Sequence, residues 1–257
     1  MNIEQLGFPS EGQALYEKLI TLQQELKSQM LIPEEDINED IVTNLLTDER
    51  PLSSKIPPRI EDKLFKEIFH KICKLLIQYV PQREKEIKDI LKLKNLLYVN
   101  IDSQTLLAEH KQISADLFAF ILDNAYRPYF LALAERISGY TDLSLWRNNY
   151  CPICGEKASL ASHDEENGQR TLWCSYCSIG WSFTRLICTE CGNSNHEELK
   201  SFFLEDDRSF QLHTCSKCNS YIKSIRRNII GTENLPLIDV QTVCLDLLAE
   251  KEGYNRR

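Results

Sequence analysis

The feature that most constrains this chain is a row of four Cys-x-x-Cys pairs in its C-terminal half. The pairs are Cys151/Cys154, Cys174/Cys177, Cys188/Cys191 and Cys215/Cys218. Two intervening residues let a tight turn direct both sulfurs at one ion, while backbone N–H groups of the turn donate to the thiolates. Because eight of the ten cysteines stand in such pairs, the pattern predicts metal binding rather than dithiol redox chemistry or disulfides.

The gaps between the pairs predict which sulfurs share an ion. There are 19 residues between the first two pairs, 10 between the second and third, and 23 between the last two. A gap near 20 is typical of the two halves of one zinc-ribbon site, and 10 is short for that. We therefore predict one site from Cys151, Cys154, Cys174 and Cys177, and a second from Cys188, Cys191, Cys215 and Cys218.

Four thiolates around one ion fit zinc or a rubredoxin-type single iron, and an iron–sulfur cluster is a further alternative. Two metal ions per chain are therefore expected, zinc or iron. With every position filled by protein, neither site keeps one for water or substrate, so zinc-type hydrolysis is not expected. The sequence also has no Ser-His-Asp arrangement, P-loop or dinucleotide fingerprint. We predict that the chain is not an enzyme.

Several other residues have possible chemistry. Cys73 and Cys244 lie in apolar helical patterns and are predicted to be buried small hydrophobes. His163, His196 and His213 lie near the cysteine pairs, but eight thiolates already fill two sites, so we predict that none of the three is a ligand.

A small basic cluster follows the last cysteine pair and consists of Lys223, Arg226 and Arg227. It is either a solvated strand face or a patch that binds an acidic segment of a partner. The first interpretation is the more common one for such a run and is preferred here.

The balance of acidic and basic residues indicates which class of partner the chain is not expected to bind. The net charge is −8, with 18 basic and 23 acidic residues before Cys151 and 12 and 15 from there onward. A tetrathiolate site that holds a divalent ion is more negative still. Nucleic-acid binding needs a positive surface that replaces condensed counterions, so no nucleic-acid partner is expected.

Hydrophobic spacing divides the chain into two halves. Helical periodicity is clear over residues 15–30, 60–79, 84–97 and 115–137, and Pro128 predicts a kink or break in the last of these. After Cys151, short strands are predicted at 170–173, 180–186 and 198–204, with a helix near the C-terminus. The predicted class is α+β, with a helical domain at 1–145, a first metal module at 146–185, and a second with the terminal helix at 186–257.

No segment of the sequence predicts membrane insertion or export. The densest apolar run, residues 117–122, has six residues, far fewer than the roughly 20 that a membrane helix needs. The N-terminal residues lack the basic and apolar regions of a secretory signal. A cytoplasmic location is expected, where thiols stay reduced and available to metals.

The motifs CPICG, TLWCSYCSIGW, RLICTECG and HTCSKCNSYIKSI, with a terminal LDLLAEKEGYNR, resemble the FdhE-type formate dehydrogenase accessory proteins. The resemblance is clearest from Trp146 to the C-terminus. It implies a helical domain followed by two rubredoxin-like modules, with the eight paired cysteines as ligands and no catalytic residue. Ser178 departs from the glycine that many rubredoxin-type turns have after the second cysteine.

The resemblance also implies a function. Members of that family are cytoplasmic proteins that mature respiratory formate dehydrogenase, and they contact its catalytic subunit before export by the twin-arginine route. The alternatives are a rubredoxin-like iron protein that passes single electrons to this client, and a nucleic-acid-binding zinc ribbon, which the acidic balance disfavours.

Overall fold

The computed structural model describes residues 10–33, 37–93, 112–138, 143, 146–164, 166–204, 207–226 and 235–256. An N-terminal helical region precedes a sheet that carries two clusters of four cysteines, and helices end the chain. The predicted α+β class is therefore confirmed.

Five helices form the described N-terminal region: α1 Ser10–Lys27, α2 Glu39–Thr47, α3 Asp62–Tyr79, α4 Glu84–Ile90 and α5 Ala115–Ser138. Helices α1, α3 and α5 pack against one another, because the apolar residues of each recur at helical spacing and share one buried face. The periodicity did not predict α2. The helix predicted over 84–97 ends at Ile90, and Leu97 lies outside the described residues.

Helix α5 continues through Pro128, so of the predicted kink or break the break does not occur, and the kink stays a prediction. Proline has no N–H to donate to the carbonyl of Asn124, four residues earlier. The side chain of Gln23, from α1, supplies the missing donor: its Nε2 is 3.3 Å from Asn124 O and 2.8 Å from Asn124 Oδ1. Gln23 is buried, so this contact between helices gives a partner both to its own amide and to the carbonyl of Asn124.

Six strands form one sheet: β1 Leu160–His163, β2 Arg170–Trp173, β3 Gly180–Phe183, β4 Leu199–Leu204, β5 Asp207–Cys215 and β6 Ser220–Arg226. Their order is β3-β2-β1-β6-β5-β4. All pairs are antiparallel except β1 with β6, which join the strands of the two predicted metal modules in parallel. The three predicted strands correspond to β2, β3 and β4, and the domain boundaries at 145/146 and 185/186 stay a prediction.

The two faces of the sheet are covered by different parts of the chain. On one face Ala161, Leu172 and Trp181 belong to the same apolar core as the N-terminal helices. On the other face the terminal helices α6 (Leu235–Gln241) and α7 (Val243–Lys251) pack against the sheet. The sheet therefore lies between the core of the helical region and the terminal helices, and α6 also contacts α1.

The prediction that Lys223 lies on a solvated strand face is wrong. This β6 residue is 1% exposed, and its Nζ is 2.6 Å from Asp239 Oδ1 and 2.8 Å from Asp246 Oδ2. Arg256 binds Asp239 as well, at 2.8 Å. The acidic partners of Lys223 are therefore Asp239 and Asp246, in the terminal helices of the same chain. Arg227 lies outside the described residues.

Among the residues that the structure describes, no helix combines the length and apolar character needed to cross a membrane.

Candidate metal centres

The structure brings the sulfurs together in the two groups that the gaps predict. In the first group the Sγ–Sγ distances include 3.4 Å for Cys151–Cys177, 3.5 Å for Cys154–Cys174 and 3.9 Å for Cys154–Cys177. A tetrahedral ion with metal–sulfur bonds of about 2.3 Å has sulfur–sulfur edges of about 3.8 Å. The spacing therefore fits a four-coordinate thiolate-bound ion, either zinc or iron.

The sulfur–sulfur distances in the second group are similar, and its cysteines are more exposed to solvent. Its sulfurs are 3.6 Å apart in Cys188–Cys218 and 3.8 Å apart in Cys191–Cys215. Cys188 and Cys215 are buried, Cys218 is half-buried and Cys191 is exposed. In the first group no cysteine is exposed. Each group could hold a metal ion, and the assignment of these eight residues as ligands stays a prediction.

The residue after each cysteine pair has a left-handed backbone. The φ angles are 84° at Gly155, 62° at Ser178, 67° at Gly192 and 54° at Asn219. Glycine adopts this conformation at no steric cost, and asparagine tolerates it. Ser178 adopts it too, and its N–H donates to Cys174 O at 2.9 Å as Gly155 N–H does to Cys151 O at 3.0 Å. The departure from glycine therefore leaves the turn unchanged.

Polar groups around the sulfurs offset their negative charge. The N–H groups of Ile153 and Glu190 point at Cys151 Sγ and Cys188 Sγ, each at 3.4 Å. Asn193 Nδ2 lies 3.7 Å from Cys215 Sγ. Such donors stabilise thiolates, the form of cysteine that binds metal.

The pKa values show the same effect at two positions. Burial opposes ionisation of Cys174, but hydrogen bonds with the other three cysteines of its group hold its pKa well below the usual value. Burial also opposes ionisation of Cys215, but donors that include Cys218 N–H and the Asn193 amide lower its pKa to about 7. Proton loss, which metal binding requires, is thus easier at these two thiols.

A buried arginine that the sequence analysis missed lies beside the first group. Arg127 of α5 is 4% exposed, and its Nη2 lies 3.2 Å from Ser175 O and 3.4 Å from Ser178 Oγ, within the second cysteine turn. Its Nη1 donates to the Gln23 side chain. Burial lowers the pKa of Arg127 to about 10, against the opposing effect of Cys174 and other anionic groups. The guanidinium stays charged at neutral pH and joins the helical region to this group.

Two sequence signals pointed toward Arg127 without identifying its partner. It is a charged residue in the most apolar helical segment of the chain, and it immediately precedes Pro128. A charge in such a position is expected to have a buried partner.

The other candidate residues lie elsewhere. Cys73 is 0% and Cys244 3% exposed, so their predicted burial is confirmed. Within the described part of the chain, both metal-type groups contain cysteines alone. The prediction that His163, His196 and His213 are not ligands remains a prediction; all three line a cavity next to the second group.

Comparison with known proteins gives consistent matches, although no protein-family model matches the sequence. The FdhE homolog of Aquifex aeolicus (strain VF5) is 29% identical over 194 residues, which cover 74% of this chain and 67% of that protein. The FdhE homolog of Haemophilus ducreyi is 27% identical over 164 residues, 61% of this chain and 52% of that one. The chain thus aligns with about half to two thirds of the length of these relatives.

The fold is also similar to a solved structure. The crystal structure of the FdhE protein from Pseudomonas aeruginosa matches with a TM-score of 0.63 and 20% sequence identity, over 93% of this chain and 84% of that one. The sequence matches to several FdhE proteins, together with this common fold and the two four-cysteine groups, support the resemblance of the chain to the FdhE family.

Proposed function

We propose that this chain is a cytoplasmic accessory protein that matures respiratory formate dehydrogenase and binds its catalytic subunit before export. Sequence similarity to several FdhE proteins, over about half to two thirds of their length, is the observation that carries the proposal. The motifs around the cysteine pairs, which resemble those of formate dehydrogenase accessory proteins, support it further.

In this proposal the chain is a binding protein rather than an enzyme. Each four-cysteine group supplies a complete tetrahedral set of protein ligands, so a bound ion keeps no position for a substrate. The ions, zinc or iron, then stabilise the sheet and its turns, and recognition of the client falls to the protein surface.

The test uses a strain that lacks this protein and is complemented with tagged variants under anaerobic growth. We expect the wild-type chain to restore formate dehydrogenase activity and to co-purify with the catalytic subunit. Cys151→Ala should lose both, since it removes a sulfur of the first group. Cys73→Ala, a buried cysteine outside both groups, is the matched control and should retain both. Normal activity in the strain without the protein would refute the proposal.

A second candidate is electron transfer to the client through a rubredoxin-like iron. The exposure of Cys191, and the partial exposure of Cys218, favour the second group for this role because an electron must pass between it and a partner. Bound iron would supply one-electron redox chemistry there. Metal analysis and visible spectra after oxygen-free purification test it: iron with thiolate charge-transfer absorption supports it, and colourless protein with two zinc ions per chain contradicts it.

A further inference from the structure

A cavity of about 470 Å³ lies beside the second cysteine group and is lined by residues from both halves of the sheet. Cys188 and Cys215 form part of its wall. Three basic side chains line it, Arg170, Arg185 and Lys200, against one acidic residue, Asp164. The balance of charge is unusual for a chain with a net charge of −8.

Arg170 of β2 is the most buried of the basic residues. It is 3% exposed, its Nη1 donates to Ile187 O at 2.9 Å, and its guanidinium lies 5.8 Å from the centre of the Phe183 ring. Its Nε is buried and has no hydrogen-bond partner among the described residues. Burial lowers the pKa of Arg170 to about 10, so it is charged at neutral pH. A buried charge with an unused donor is costly unless an anion reaches it.

Two histidines add donors to the same wall. The rings of His163 and His213 stack with centroids 5.0 Å apart and an interplanar angle of 12°. His163 Nδ1 is 3.1 Å from Ser224 Oγ, whereas His213 Nε2 is buried and has no partner in the part of the chain that is described. A neutral imidazole keeps one N–H, which can donate to an acceptor on a ligand.

The rim of the cavity is positive as well. Arg185 and Lys200 are exposed, and a Cβ atom at Gly168 would lie 2.5 Å from Arg185 Nη1, so glycine leaves room for this guanidinium. The one acidic residue, Asp164, already accepts hydrogen bonds at Oδ1 from the N–H groups of Glu166 and Asn167.

We propose that this cavity binds a ligand through an oxyanion, a carboxylate or phosphate group held by Arg170 and Arg185. The planar guanidinium can donate two parallel N–H bonds to two oxygens of either group. The volume lies within the range of roughly 300–1,000 Å³ that is typical of small-molecule sites. The competing use of this positive charge is to balance the thiolates of the second cysteine group alone. The proposal is independent of the proposed function in formate dehydrogenase maturation.

Calorimetric titration of the metal-loaded full chain tests the site at constant ionic strength. The probes are inorganic phosphate and succinate, and saturable one-to-one binding of either supports the proposal. Binding of phosphate alone assigns a phosphate ligand, and binding of succinate alone assigns a carboxylate. No saturable binding of either probe at millimolar concentration would overturn it and leave Arg170 as a counter-charge for the thiolates.

Variants locate the binding. Arg170→Gln should weaken it roughly tenfold or more, as expected for the loss of hydrogen bonds to a charged group. Arg185→Gln, at an exposed position that folding does not need, should weaken it several-fold and decides the case if the buried variant does not fold. Arg147→Gln, an exposed arginine outside the cavity lining, is the matched control and should bind as the wild type does. Equal affinity in Arg185→Gln and the control would refute the site.

Imidazole NMR resonances give an independent readout. Added phosphate or succinate should shift the signals of His163 and His213 and leave that of His70, an exposed histidine on α3, in place. Shifts of similar size at all three would indicate non-specific binding and contradict the proposal.

Discussion

Replacing Lys223 with methionine should release the terminal helices from the sheet. The Lys223 ammonium on β6 binds Asp239 of α6 and Asp246 of α7 at 2.6 and 2.8 Å, and also donates to Asp239 O at 2.6 Å. The same buried group thus joins both helices to the sheet. Methionine keeps most of the volume of the side chain but removes all three contacts.

The expected loss of stability in Lys223→Met follows from these contacts. A hydrogen bond to a charged group contributes about 1.5–3 kcal/mol, and two of the three contacts join opposite charges. The carboxylates of Asp239 and Asp246 are 17% and 15% exposed, so water solvates them poorly after the change. Arg256, 2.8 Å from Asp239, still neutralises part of their charge. We expect a loss of about 3–5 kcal/mol, the range for removing one member of a buried ion pair.

Hydrogen exchange measured by mass spectrometry can detect this loss in the helices themselves. If they open independently of the rest, exchange in α6 and α7 should rise between roughly one hundred and a few thousand fold, since about 1.4 kcal/mol is a factor of ten. Amides of α3, which packs against other helices of the N-terminal region, are the internal reference. Lys200→Met, at an exposed position on β4, is the matched control and should change stability by no more than about 0.5 kcal/mol.

The reasoning fails if exchange in the two helices changes no more in Lys223→Met than in Lys200→Met. A combined variant, Lys223→Met with Asp239→Asn and Asp246→Asn, should recover part of the loss, because it no longer leaves buried carboxylates without their cation.

Three further predictions concern the cysteines and their turns. Cys151→Ala should lower the temperature at which helical circular dichroism is lost, because the first cysteine group belongs to the apolar core of the helices. Cys188→Ala, in the second group, should leave that temperature nearly unchanged. Equal shifts in the two variants would contradict this prediction. Gly192→Ala should weaken metal retention against a chelator by about fivefold, because alanine in a left-handed conformation costs about 1 kcal/mol. No atom of the described residues lies within 4 Å of the added Cβ, so the backbone conformation is the only source of this cost. Unchanged retention would contradict the prediction that backbone strain at this turn weakens metal binding. Burial raises the pKa of Cys73 to about 12, so at pH 8 it is a neutral thiol, and iodoacetamide should modify it only after unfolding.

Local features of the sequence predicted much of this protein. The gaps between the cysteine pairs predicted which sulfurs meet, because each tight turn brings two sulfurs together and the connection between turns sets which pairs can share an ion. Helical periodicity located α1, α3 and α5 for a similar reason, since residues three and four apart share a helix face. The residue types after three of the pairs, Gly155, Gly192 and Asn219, also suit the left-handed turns that the structure has there.

The tertiary structure decided how distant segments meet. The parallel pairing of β1 with β6 places Leu160 opposite Lys223, and Gln23 reaches the carbonyl of Asn124 that Pro128 leaves without a donor. Neither contact has a signal in local spacing.

Buried charge depended on the tertiary structure in the same way. Lys223, Arg127 and Arg170 are each buried among residues from several elements, so the sequence around each of them does not identify its partner. The sequence by itself determined the cysteine groups and the helices, whose contacts follow from spacing along the chain. The common sheet, the charged contacts inside it and the cavity beside the second cysteine group follow from packing between segments far apart in sequence.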